Sequence, residues 1–166
     1  EAAVELAQIN LDNTRIRATR WIFQNVDGPV NVYVADASGA ETHIPMPLGQ
    51  GQAIGDVAPT ITAFTPKTAG TLTRVSVGFA RNSDDPRVPG LLNVIVSPDP
   101  GGATVLAEAN LVIQGTDGEG DPRGLPAEVA FAQPAALQAD TNYYVLLRAV
   151  SGAPITLTGS VISHEN

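Results

Sequence analysis

The most constraining feature of this chain is a change of period at Gly28-Pro29. Before it, Ile16, Thr19, Ile22, Phe23 and Val26 recur at helical spacing and form one apolar stripe. After it, Val30, Val32 and Val34 alternate with Asn31, Tyr33 and Ala35, the period of a strand with one buried face. Gly tolerates a left-handed helix end and Pro cannot continue the helix, so the pair predicts a stop. Asp12, Asn13 and Thr14 are all suitable N-caps. The expectation is one helix near 14–27 whose stripe packs on a β domain, preceded by an ambiguous segment, 1–11.

From Val30 onward, turn signals recur roughly every ten residues. Val75, Val77 and Phe79 share one face of a strand over 71–80, with Arg74 and Ser76 on the other. Leu92, Val94 and Val96 form the next inward set, and Pro98-Asp-Pro-Gly-Gly102 is a turn. Residues 104–114 alternate, Val129 and Phe131 mark a short strand ended by Pro134, and 142–150 is apolar on both faces, as a central strand would be. No strand-helix-strand alternation is present, which argues against a parallel sheet. The pattern predicts an all-β fold. It is an antiparallel β-sandwich of about eight or nine strands, jelly-roll-like, with one N-terminal helix. Residues 1–29 are the helical entry and 30–166 the sandwich domain.

Composition narrows the function. With 166 residues and 43% apolar content the chain can bury a core, and no apolar run reaches the length of a membrane span. The opening Glu1 suggests a piece of something longer. The formal charge is −8, and of nine basic residues all but Lys67 are Arg. An acidic surface without a basic stripe argues against nucleic acid. The cluster Arg15, Arg17 and Arg20 could meet phosphate headgroups at a membrane surface, but in so acidic a chain it is expected to pair with the sandwich. No cysteine is present, so disulfides and thiolate metal sites are excluded.

Catalysis finds little to work with. The two histidines, His43 and His164, are isolated in the sequence, no Gly-rich loop links a strand to a helix, and no serine sits in an elbow motif. The fragment is expected to be no enzyme. Its candidate metal site is Asp117-Gly-Glu119-Gly-Asp121, where carboxylates at alternate positions of a Gly-rich loop could converge on Ca²⁺. The competing view is a solvated acidic loop with Arg123 balancing the charge. Asp84 and Asp85 would add to the acidic patch if their loop met this one. For a ligand such as carbohydrate, the candidates are Tyr33 and Tyr144, which could meet a sugar ring if exposed; the competing view is tyrosines at a sheet surface or core edge, and a cleft or loop site is expected over a flat aromatic platform. Phe64, Phe79 and Phe131 are expected in the core. Tyr143 and Tyr144 are adjacent and so point to opposite faces.

Two segments resemble known proteins. Thr14-Arg-Ile-Arg-Ala-Thr-Arg20-Trp21-Ile-Phe-Gln-Asn25-Val, continuing as Asp27-Gly-Pro-Val-Asn-Val-Tyr33, is similar to a segment that follows the membrane part of polytopic GT-C-type glycosyltransferases. It most resembles the GT-C-like "YYY" membrane-protein family, with Asp27 where Pro is usual and without that family's tri-tyrosine signature. Gly70-Thr-Leu-Thr-Arg-Val-Ser-Val77 and Ala136-Leu-Gln-Ala-Asp-Thr-Asn-Tyr-Tyr-Val-Leu146 resemble bacterial extracellular jelly-roll modules of the carbohydrate-binding kind. The resemblance implies an extracytoplasmic, non-catalytic accessory domain, attached to the membrane through the transmembrane part of the same parent chain. Its partner would be a glycan or acceptor, and no catalytic residue carries over. A free-standing carbohydrate-binding or adhesion module and a purely structural domain are the alternatives.

Overall fold

A computed structural model describes residues 28–46, 48–49, 51–117, 121–150 and 152–159. The helix expected near 14–27 lies outside them. Among the described residues the protein is all β, with ten strands, no helix, and therefore no helix long and apolar enough to cross a membrane. The strands are β1 (Val30–Ala35), β2 (Glu41–Pro45), β3 (Gln52–Ile54), β4 (Thr60–Phe64), β5 (Gly70–Asn82), β6 (Gly90–Ser97), β7 (Ala107–Ile113), β8 (Leu125–Leu137), β9 (Tyr143–Ala149) and β10 (Ile155–Thr158).

All pairings are antiparallel. One sheet has the order β4-β9-β6-β7. In the other, the long β5 pairs with β8 along one edge. Its opposite edge is shared: β1 covers Thr71–Val77 and β10 covers Phe79–Asn82. Beyond these lie β2 and β3 respectively. Taken as β3-β10-β5-β8 facing β4-β9-β6-β7, the strands form a jelly roll. The chain crosses between sheets at every step from β3 to β10 except the β6-β7 hairpin. The β1-β2 hairpin is an addition that extends the first sheet alongside the N-terminal half of β5.

The core lies between the sheets. Val30, Val32, Leu72, Val75, Ile155 and Leu157 from the first sheet meet Leu92, Val94, Leu111, Ile113 and Leu147 from the second, all fully buried. Alternation thus produces the burial it predicts, and β9, buried on both sides along Val145-Leu-Leu147, is central as expected.

Two local expectations fail and one strand goes unread, each for a backbone reason. First, Phe79 is not in the core. The β5-β8 register shifts between Val77 and Ala80, so Ala80 takes the inward place at 0% exposure and Phe79 is left half-buried. Second, Pro134 does not end its strand. β8 runs through both Pro126 and Pro134: among the described residues it pairs with β5 alone, as an edge strand, and Pro134 falls in the register break between Ala130 and Ala135, where no partner needs its missing donor. Third, the three-residue β3 has too little alternation to be read among its flanking glycines and prolines.

Candidate functional site

The outward face of the first sheet carries the richest polar arrangement among the described residues. Asn31 and Tyr33 on β1 point away from the valines. The register sets Tyr33 between His43 of β2 and Arg74 of β5, and Asn31 opposite Ser76, which in turn faces Glu128 of β8. A bulge between Tyr33 and Val34 leaves Thr73 without a cross-strand partner and turns it outward next to Arg74. Both then reach Glu41. The Thr73 hydroxyl donates to Glu41 Oε1 at 2.6 Å, and Arg74 Nη2 donates to Oε2 at 2.9 Å.

Arg74 organises this face. Its Nε and Nη2 bind Glu41, its Nη1 binds Glu128, and its guanidinium carbon lies 3.6 Å from the centre of the Tyr33 ring. Hydrogen bonds from Arg74 and then Thr73 hold the Glu41 carboxyl below its ordinary range. The same partners, Glu41 first, push the Arg74 guanidinium further up, so it stays charged throughout the accessible pH range. The His43 ring is nearly parallel to Tyr33, 14° between planes and 5.1 Å between centres. Since β1 lies between β2 and β5, the two flanks of Tyr33 are occupied by different neighbours.

Asn31 is fully buried on this outward face. Its Nδ2 donates to the Gly28 carbonyl at 3.0 Å and its Oδ1 accepts from the Gly28 amide at 2.8 Å. That reciprocal pairing fixes the amide's orientation. Oδ1 therefore faces His43 Nε2, 2.8 Å away, as an acceptor, and His43 donates from Nε2.

Beside this network lies an open cleft of about 490 Å³, lined by Tyr33, Ser76, Val77 and Gly78 on one side and Pro126, Ala127 and Glu128 on the other. The Ser76 and Tyr33 hydroxyls are 3.4 Å apart. Such a volume suits a small ligand, and the polar groups are ones that fix orientation.

The other sequence candidates fall elsewhere. Tyr144 is half-buried on β9, in the second sheet, opposite Ala63 and Ser97. Tyr33 and Tyr144 thus belong to different sheets and form no common platform. Tyr143 is the buried member of the pair. Its ring packs at 5.8 Å from Phe64 and its hydroxyl accepts the Gln138 amide at 2.9 Å. Phe64 and Phe131 are in the core as expected.

In the acidic loop, both oxygens of Asp121 accept from Arg123, at 2.6 to 3.1 Å, which holds the Asp121 carboxyl down to about 2. Arg123 also covers the outward Phe79 ring at 3.9 Å. A cation at Asp121 would have to compete with Arg123 for the same oxygens. Glu119 lies outside the described residues, and among those described no three acidic or histidine side chains converge as a metal-binding group. The two acidic loops do meet. The Thr116 amide donates to the Pro86 carbonyl at 2.8 Å, and a Cβ on Gly115 would stand 2.1 Å from the Arg87 carbonyl oxygen, which admits only glycine. Within that contact Asp85 is already paired with Arg87.

The sequence singles out Tyr33 as a candidate but not the residues around it. Thr73 reaches the site through a bulge and Glu128 through long-range pairing, and neither leaves a local signal. Comparison with protein-family models and with curated proteins finds no match to this chain.

Proposed function

We propose that this chain is a non-catalytic recognition module whose Tyr33 cleft binds a hydroxyl-rich ligand of the glycan class. The observation that carries this is the cleft itself: two side-chain hydroxyls, a carboxylate and an aromatic edge gathered on a rigid sheet. Hydroxyls and carboxylates exchange hydrogen bonds with sugar hydroxyls, and groups held on paired strands bind without a large ordering cost. The fold alone does not decide function, so the proposal rests on these groups and not on the jelly roll.

The setting follows from the resemblance of Thr14–Val26 and Asp27–Tyr33 to GT-C-like membrane proteins. On that basis the module is an extracytoplasmic accessory domain of a membrane glycosyltransferase-like protein, holding glycan or acceptor near the parent chain. A gene encoding many transmembrane spans next to this domain supports that setting. A signal peptide with a hydrolase domain favours a free-standing carbohydrate-binding or adhesion module instead. The binding claim is tested on a glycan array with this 166-residue chain, with and without Ca²⁺. Signal in either condition is expected, and silence in both leaves a structural domain.

A further inference from the structure

Resting on the binding proposal above, we infer that the Tyr33 cleft selects uncharged, hydroxyl-rich sugars and rejects anionic ones, with Glu128 as the deciding residue. Arg74 stands beside the cleft, but its charge is already engaged by two carboxylates. Nε and Nη2 serve Glu41, Nη1 serves Glu128, and one face of the guanidinium lies against Tyr33. Arg123, on the neighbouring loop, is likewise held by both oxygens of Asp121. One Arg74 against Glu41 and Glu128 leaves this cluster with one excess negative charge.

Glu128 lines the cleft and is half-exposed there. Only its Oε2 is used by Arg74, so Oε1 keeps its acceptor capacity among the described residues. A sugar hydroxyl donating to Oε1 makes a charge-assisted hydrogen bond, stronger than one between neutral groups. A uronate or sugar phosphate in the same place meets a like charge, and among the described residues lining the cleft no cation offsets it; such juxtaposition is a means of rejecting wrong ligands. The Tyr33 and Ser76 hydroxyls, 3.4 Å apart, either donate or accept and so add affinity without adding charge preference.

Isothermal titration of the full chain with neutral gluco-oligosaccharides and with oligoglucuronates of the same length tests this. The neutral series is expected to bind at least about tenfold more tightly. Glu128→Gln should weaken neutral binding about tenfold and narrow the gap between the two series. Ser76→Ala should weaken both series alike and leave their ratio unchanged. Melting temperatures of both variants verify folding. Equal binding of glucuronates, or an unchanged ratio in Glu128→Gln, overturns the selectivity and leaves the binding proposal standing. If neither series binds and a wider neutral glycan array is also silent, the binding proposal falls and this inference falls with it.

Discussion

The two sheets of this sandwich share one core but present different chemistry on their outward faces. On the first, the outward positions are Glu41, His43, Asn31, Tyr33, Thr73, Arg74, Ser76 and Glu128, tied together by hydrogen bonds and ion pairs. On the second, an apolar row of Ile61, Leu146 and Ile95 across β4, β9 and β6 lies beside a polar group in which Asn93 of β6 donates to Glu108 and Asn110 of β7, with Arg148 of β9 opposite Asn93. Both arise from the same alternation, so the buried halves of the strands carry the fold while the exposed halves are free to differ. The first face combines a cleft with convergent hydroxyl and carboxylate groups, and that is why the proposed ligand is placed there.

The contrast can be broken or sharpened in several ways. The largest expected effect falls on both faces equally. Leu147, fully buried on the central β9, touches the shared core, and Leu147→Ala should cost about 3 kcal/mol in denaturant unfolding. Next, Arg74→Met should cost about 1 kcal/mol after solvent screening of its ion pairs. The matched change on the other face, Arg148→Met, should stay within about 0.5 kcal/mol, because Arg148 is exposed. Equal losses at the two arginines would erase the distinction between the faces.

Thr62 on β4 tests the inward side of the second sheet. It is the one described buried side chain whose polar atom lacks a hydrogen-bond partner, so Thr62→Val should stabilise the protein by up to about 1 kcal/mol. The smallest effect is read in the acid limb. The Asp121 carboxyl, ordinarily near 3.8, is held at about 2 by Arg123. A depressed folded value means that its contribution is present above the unfolded value and is lost as pH falls through the folded one. The wild-type melting temperature should therefore drop more steeply from pH 4 to pH 2 than that of Arg123→Gln. Parallel curves would show that the pair does not hold in solution.

How much of this was legible in the residues depends on where the backbone stays regular. Val30, Val32 and Val34, Leu92, Val94 and Val96, and Leu111 and Ile113 all announced their burial by period two, and the structure places each in the core. Where a bulge intervenes, the period misleads. Phe79 follows Val75 and Val77 in the pattern but is displaced outward by the irregularity before Ala80, and Arg123 then covers it. The same device, at Thr73, completes the candidate site and was invisible for the same reason. Tyr33 was identifiable because it stands opposite three valines. Glu128 was not, because its role depends on pairing with Ser76, 52 positions away in the chain by the difference of their numbers.

The most direct test of the account is which outward face meets the ligand. Amide and aromatic NMR shifts of this chain, followed during titration with a neutral gluco-oligosaccharide, report both faces in one experiment. The account predicts perturbations at Tyr33, Ser76, Gly78 and Glu128, with Ile61, Tyr144 and Ile95 unchanged. Perturbations concentrated on Ile61, Tyr144 and Ile95, with Tyr33 and Ser76 unmoved, would contradict it.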